Sequence, residues 1–395
     1  MIISGTGCAL GDFLYDKISF GSDAFRRYLS KTTGDGGLSP GKLVFTEELE
    51  KFSCKSYEQI LKDITGGASP SAFNVGGPSL VSLIHASQML ENADFEVKFF
   101  GISGKDETSE LIFRIIKDTP LDTRNFLSSS ARVTPFTDVF SDPHYNEGHG
   151  ERTFVNNIGA AWDYYPEMLT DDFFNSDIVC FGGTALVPRI HDNLTDLLRK
   201  AKERNCITVV NTVFDFRNEK KCPGNPWPLG MTKTSLGLID ILIMDHVEAL
   251  RLSGQDSLNN AALFFRSSNA GSFIITDGPG EVLAWSEGRF FRKNSLIRLP
   301  VSQKVMDDMK CRPELKGDTT GCGDNFAGGV IASVAMQLKS LKPGQLDIFD
   351  AVSLGIASGG FCCYSLGGTY REKTPGEKRE KVIELKKDYL KQINH

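Results

Sequence analysis

The residues best suited to chemistry lie together between Gly317 and Ala335. A turn rich in glycine, Gly317-Asp318-Thr319-Thr320-Gly321-Cys322-Gly323, runs into Asp324-Asn325-Phe326-Ala327-Gly328-Gly329, the start of a helix of small and apolar residues. Gly321 and Gly323 remove side chains where the chain enters its first helical turn. Unpaired N–H groups point outward there, and the helix dipole favours an anion. Asp324 beside such a nest has two readings. It caps the helix, or it takes the proton of a hydroxyl that attacks a phosphate. Elsewhere Asp12 follows an opening strand, and its carboxylate can accept two hydroxyl hydrogen bonds of a polyol. Asp245 and Glu248 form a second acidic pair, read either as a charged helix start or as helpers of a cation.

Elements of two periodicities must carry these residues. Short β-branched runs at 94–101, 177–182, 206–211, 239–244 and 272–276 alternate with helical patterns, which is the sign of βαβ units. Segment 190–205 is amphipathic, with Ile190, Leu194, Leu197, Leu198 and Ala201 on one face, and 79–91 has similar spacing. The charged helix expected at 376–393 reads as a surface element. Alternation across 131–160 predicts a hairpin inside an otherwise parallel chain. Residues 31–72 are polar and glycine-rich and read either as a cover over the site or as a subunit contact.

The chain has 395 residues, 40% hydrophobic and 24% charged, enough for a sizeable core. Its net charge of -6 speaks against nucleic acid as a partner. Nine scattered cysteines read as buried thiols of a reducing compartment. The N-terminus lacks a basic and then apolar leader, and no apolar run approaches a membrane span. The expectation is a cytoplasmic protein without a membrane partner.

The string Asp-Thr-Thr-Gly-x-Gly-Asp-x-Phe-x-Gly-Gly at 318–329 resembles the second signature of the PfkB (ribokinase-like) family of carbohydrate and nucleoside kinases. Cys322 stands where Ala is usual, a weak candidate nucleophile whose pKa a helix N-terminus could lower. The resemblance runs in order over most of the chain. Gly7-Cys8-Ala9-Leu10-Gly11-Asp12 is similar to the family's opening strand, and Asn74-Val75-Gly76-Gly77-Pro78 to its Gly-Gly turn beneath the substrate. The sugar-binding Asn that follows that turn in many members is replaced by the stretch Ser79-Leu80-Val81-Ser82. Gly101-Ile102-Ser103-Gly104-Lys105-Asp106 resembles the Gly-x-x-Gly-x-Asp after the next core strand and lacks P-loop spacing. Asp245-His246-Val247-Glu248 is similar to the Asn-x-x-Glu that orients Mg²⁺ and its waters. Thr276-Asp277-Gly278-Pro279-Gly280 resembles the ATP-cradling Thr-x-Gly-x-x-Gly with its second glycine one place early. Phe349–Gly360, including Ser358, resembles the late helix that makes room for adenine. Residues 206–217 echo the family only faintly, at Asn211 and Asp215-Phe216-Arg217.

The resemblance implies an α/β ribokinase-like three-layer sandwich, a mostly parallel sheet flanked by helices, with a small β-sheet lid within 13–72 and 131–160. The whole of 1–395 is one kinase domain on this reading. It also implies ATP and Mg²⁺ as cofactors, and allows a monovalent cation such as K⁺ and a homodimer through the lid. Asp324 is then the base, and the N–H groups of Gly321, Cys322 and Gly323 the anion hole. Asp12, Gly76 and Gly77 bind a sugar or nucleoside. Thr276, Gly278, Gly280 and Ser358 bind ATP, and Glu248 and Asp245 act on Mg²⁺ through water. Two alternatives compete. One is a non-catalytic metabolite-binding relative; the other is a dinucleotide enzyme with Gly5-Thr6-Gly7-Cys8-Ala9-Leu10-Gly11 as its loop.

Overall fold

The computed structural model describes residues 1–395 except 33, 92, 93, 231, 232, 313, 314, 316, 318 and 395. Strand β1 (Ile2–Gly7) lies within a nine-stranded sheet. On one side it pairs in parallel with β5 (Glu96–Ser103), which pairs with β6 (Asp122–Ser128). On the other side follow β9 (Ile178–Gly182), β10 (Ile207–Asn211), β11 (Ile241–Asp245) and β12 (Ser272–Thr276), all parallel. The edge strands β13 (Val282–Ser286) and β14 (Ile297–Leu299) turn antiparallel. Strands such as Ile-Val-Cys-Phe-Gly in β9 are buried along their whole length, as parallel strands covered on both faces must be. Chain order reverses about β1, so the crevice beyond its carboxyl end is the natural ligand position of such a sheet.

Helices cover both faces. One layer holds Pro78–Met89, Cys322–Leu338, Ile348–Cys362 and Glu377–Ile393; the other includes Leu194–Glu203, His246–Ser253 and Leu258–Ser267. The first of these is not simply amphipathic: every residue from Ser79 to Met89 is buried, because the sheet lies on one side and the small-residue helix Cys322–Leu338 on the other. The expected helix at 190–205 divides into Pro188–Asp192 and Leu194–Glu203 around Asn193. The last helix corrects the surface reading. Lys378, Val382, Leu385 and Tyr389 are buried, and only its other face is charged and wet. No helix among the described residues is long and apolar enough to cross a membrane.

A second sheet of five strands has the order β3-β8-β7-β2-β4. Its strands are β2 (Leu10–Tyr15), β3 (Leu43–Phe45), β4 (Ala72–Gly76), β7 (Phe136–Asp142) and β8 (Glu151–Asn157). The expected hairpin is the antiparallel pair β7 and β8. The sheet also extends beyond 13–72, because β2 begins at Leu10 and β4 ends at Gly76. The chain passes from one sheet to the other within two residues of Gly7. Gly7 has φ +138°, and a Cβ there would stand 1.8 Å from the Gly182 carbonyl oxygen. No helix follows this glycine-rich segment, so the dinucleotide-loop reading of 5–11 fails on geometry.

The outer face of the small sheet carries Tyr15, Val44, Phe140 and Val155, packed against Phe25, Leu49, Ile60 and Ile64. The last three come from the helices Thr46–Ser53 and Tyr57–Thr65, so much of 31–72 covers this sheet. A homodimer through the lid would therefore have to use those helices or the strand edges.

Asp106 joins the two sheets. Its carboxylate caps the helix Glu107–Ile116 through Ser109 N–H at 3.0 Å. It also accepts Thr134 N–H at 2.7 Å and the Thr134 hydroxyl at 2.6 Å, just before β7. Thr134 is 1% exposed, so its donors have no water to turn to. Asp106→Ala is expected to lower unfolding free energy by about 2–4 kcal/mol, combining a lost cap with stranded donors. Urea denaturation checks this, and an unchanged midpoint contradicts it.

Candidate active site

The site is built on the turn at Gly321. Gly321 caps the helix Cys322–Leu338 in the left-handed region, at φ 80° and ψ 5°. A Cβ here would lie 2.4 Å from the Gly368 Cα, so two backbones meet where no side chain fits. Gly323 differs: a Cβ added there meets no atom within 4 Å, and the residue is exposed. Its lack of a side chain leaves open space at the helix N-terminus, the cradle an anion requires. The Cys322 N–H bends back to the Thr319 carbonyl at 3.3 Å, which leaves Gly321 and Gly323 as the better placed donors of the expected three. Asp318 and Lys316 lie outside the described residues.

Asp324 stands in the first turn of this helix, and burial pushes its carboxyl up to about 6. Its charge raises the pKa of both Cys8 and Glu248, which places all three in one neighbourhood. Asp12 acts on the same Cys8 thiol, which burial first and then both carboxylates hold in the protonated form. The structure thus gathers Asp12, Asp324 and Glu248 from positions far apart in sequence. Cys322 does not acquire a lowered pKa. Hydrogen bonding to Cys362 and Cys363 raises it, and its Sγ lies 3.5 Å from that of Cys363.

Asp12 sits on β2 opposite Asn74 of β4 and Thr137 of β7. A Cβ on Gly76 would meet the Asp12 Oδ2 at 2.2 Å, and one on Gly77 the Cys8 carbonyl at 2.5 Å. The paired glycines therefore make room for the Asp12 carboxylate and for the strand entering the small sheet. Across this sheet the register sets one polar row, Asn74, Asp12, Thr137 and Asn156. Beside it runs an apolar row on the same face, Ala72, Leu14, Val139 and Phe154. Asn156 donates to Thr137 Oγ1 at 3.0 Å, while its buried Oδ1 meets no donor among the described residues. Sequence reading missed Asn156, because only the pairing of β7 with β8 sets it beside Asp12's row.

Asp245 and Glu248 form a capping box on the helix His246–Ser253: Glu248 N–H donates to Asp245 Oδ1 at 2.7 Å, and Asp245 N–H to Glu248 Oε2 at 2.9 Å. The Thr212 hydroxyl also donates to Glu248 Oε2 at 2.6 Å. Burial, with Asp245 and Asp324 nearby, nevertheless pushes Glu248 up to about 7. The helix-start reading of this pair is therefore what the hydrogen bonds show, with Glu248 buried beside two further carboxylates. These bonds fall on one oxygen of each carboxylate, a donor set suited to a hard cation's water shell. Among the described residues no three His, Cys, Asp or Glu side chains converge on a common metal position. A cation here would draw most of its ligands from phosphate and water.

Thr276 lies beside Asp245 in register at the carboxyl edges of β12 and β11. Beyond it Gly278 has φ +51° with open space about it, and Gly280 N–H closes a turn onto the Asp277 carbonyl at 2.7 Å. His246 Nδ1 meets Asp277 Oδ1 at 2.9 Å, a pair across this edge that no sequence pattern announced. Ser358 is fully buried between two helices, where a Cβ on Gly329 would come within 2.4 Å of its Oγ. Arg152 of β8 reaches out of the small sheet, its Nη1 donating to Thr320 Oγ1 at 3.3 Å. That guanidinium beside the Gly321 turn went unrecognised in sequence, where 131–160 read only as a hairpin. Asp215 caps the helix Phe216–Lys221 and lies 3.5 Å from the buried His191 Nε2, which accounts for the weak 206–217 pattern structurally.

The sequence profile of the pfkB family carbohydrate kinases matches residues 72–375. Among solved structures, adenosine kinase from Schistosoma mansoni in complex with 2-fluoroadenosine is 16% identical, with TM-score 0.68 over 94% of this chain and 97% of that one. A probable sugar kinase from Rhizobium etli CFN 42 is 17% identical, with TM-score 0.67 over 97% and 98%. A putative ribokinase II from E. coli in complex with ATP and Mg²⁺ is 14% identical, with TM-score 0.62 over 99% of each chain. At such identities the structures speak for a shared ribokinase-like fold, and the family profile carries the rest: the chain belongs to the pfkB family of carbohydrate kinases.

Proposed function

We propose that this kinase transfers the γ-phosphoryl group of ATP to a hydroxyl of a nucleoside, with plain sugars as the second class to test. The observation that carries the reading is Asp324, its proton affinity raised by burial, beside the uncovered N-terminal turn at Gly321 and Gly323. The preference for a nucleoside rests on the two rows of the small sheet. Asn74, Asp12, Thr137 and Asn156 suit ribose hydroxyls, and the half-buried Leu14 and Phe154 beside them suit a base. Val81, standing where many sugar kinases carry an Asn, is buried and offers no hydrogen bond. A structural neighbour of the same fold is an adenosine kinase.

In this mechanism Asp12 orients the acceptor and Asp324 takes the proton of the attacking hydroxyl. The N–H groups of Gly321 and Gly323, joined by Cys322 on release from Thr319, stabilise the transferring oxygens. Arg152 adds positive charge from the small sheet, which closes over the site and excludes water. Thr276, Gly278 and Gly280 cradle the nucleotide, while Ser358 lets two helices approach behind it. Mg²⁺ bound with the nucleotide would neutralise phosphate charge, its waters oriented by Glu248 and Asp245. The reading requires no monovalent cation and no second subunit.

Asp324→Asn is expected to reduce turnover at least ~10³-fold while ATP affinity stays within about threefold. An assay of ADP release with adenosine and D-ribose, alongside calorimetry with ATP, separates the two effects. Turnover within tenfold of wild type sinks the assignment of the base.

The pH dependence follows from the same carboxyl. A base must be unprotonated, so kcat/KM is expected to rise with pH through about 6. Stability runs the other way. A folded-state pKa raised from 3.8 to about 6 means the fold holds this proton longer than the unfolded chain does. Stability from this group is full below the unfolded value and is lost as pH climbs through about 6. Asp324→Asn should therefore gain thermal stability over wild type at pH 8 and not at pH 4; equal differences at both contradict the buried-carboxylate account.

A further inference from the structure

Behind the Gly321 turn lies a buried lysine that the mechanism does not use. Lys378, from the last helix, is 1% exposed, and its Nζ donates to Asn325 Oδ1 and to Gln88 Oε1, both at 3.0 Å. No carboxylate forms an ion pair with it among the described residues. Glu372 accepts its backbone N–H at 2.7 Å, and His85 and the Cys362 thiol lie within its electrostatic reach. Burial pushes the ammonium down to about 7. A buried cation held only by amide oxygens is costly, and an apolar residue of the same length would fill the space more cheaply. Its presence calls for a reason.

Hydrogen-bond direction supplies one. Lys378 donates to both amides, and in its charged state can do nothing else, so each amide turns its oxygen toward Lys378 and its NH₂ away. Asn325 Nδ2 then donates to the Gly321 carbonyl at 2.9 Å and the Gly368 carbonyl at 2.7 Å. Gln88 Nε2 donates to the Tyr370 carbonyl at 2.9 Å. With its amide reversed, Asn325 would point an oxygen at two carbonyl oxygens. One cation thus fixes two amides, and both hold the 368–370 loop, one of them also the glycine that caps the motif helix.

We propose that Lys378 is a positioning residue for the anion nest: by setting the orientation of the Asn325 amide it locks the Gly321 turn onto Gly368, so that the turn's N–H groups stay aimed at the γ-phosphoryl group. This rests on the nest reading above and extends it to a residue remote from the phosphate. Asn325, the residue after the base, becomes the link between the cation and the turn.

The test is calorimetric affinity for AMP-PNP and for ADP, each with Mg²⁺, because only the former presents a γ-phosphoryl group. Lys378→Met is expected to lower the AMP-PNP to ADP affinity ratio at least fivefold, with ADP affinity within twofold of wild type. Asn325→Asp keeps a partner for Lys378 but removes the donors to Gly321 and Gly368, and is expected to do the same. It decides alone if Lys378→Met does not fold. A ratio within twofold of wild type in either folded variant overturns the proposal and leaves the nest standing. A wild-type protein that binds AMP-PNP no better than ADP removes the nest reading, and this inference with it.

Discussion

The contact between the backbones of Gly321 and Gly368 is the constraint from which the site is built. A left-handed residue at the start of the motif helix turns the chain sharply enough to leave the helix N-terminus uncovered. Only glycine can occupy it, both for its φ and because Gly368 leaves no room for a Cβ. The helix behind it must then lie close to its neighbours, hence Gly328 against the carbonyl of Ser82 and Gly329 against Ser358. The small residues of this segment act at two depths: Gly323 leaves open space in front, and Gly328 and Gly329 allow close packing behind.

Acidic groups are concentrated around that opening. Asp324 and Glu248 both have their carboxyls raised, and the charge of Asp324 also raises the proton affinity of Cys8 and Glu248. A protein selected for stability alone would not collect carboxylates in a partly buried cleft. The positive counterparts come from outside the motif. Arg152 reaches in from the small sheet, and Lys378 lies behind the turn. Carboxylates thus gather on one side of the opening, and Arg152 and Lys378 approach the Gly321 turn from the other two directions.

How much of this was legible in the sequence depends on the range of the interaction concerned. The motif helix, its glycine cap and the carboxylate beside it are local, so residue spacing announces them. The core strands were legible for the same reason, within about two residues, because buried parallel strands are short apolar runs. The capping box of Asp245 and Glu248 is also local, and its helix-start reading holds. What escaped is set by long-range register. Asn156 joins Asp12's row only through two strand pairings. Lys378 was hidden in a helix whose charge pattern suggested solvent, because burial of one face depends on helices far back in the chain. Residues 5–11 looked like a dinucleotide loop because a strand that changes sheets leaves the same glycines as a strand that enters a helix. The 31–72 segment could not be placed from composition, since its helices exist to cover a sheet assembled from five separate pieces.

The central claim is that the N–H groups of the Gly321–Gly323 turn meet the transferred phosphoryl group. Protein labelled with ¹⁵N at glycine and cysteine allows these three amides to be followed directly in ¹H–¹⁵N correlation spectra. Addition of AMP-PNP with Mg²⁺ should shift the Gly321, Cys322 and Gly323 amides downfield, as N–H groups entering charged hydrogen bonds do, and ADP with Mg²⁺ should shift them far less. Amides at 321–323 that stay in place while those of Gly278 and Gly280 move would show that nucleotide binds without its phosphates reaching the turn, and would contradict the account.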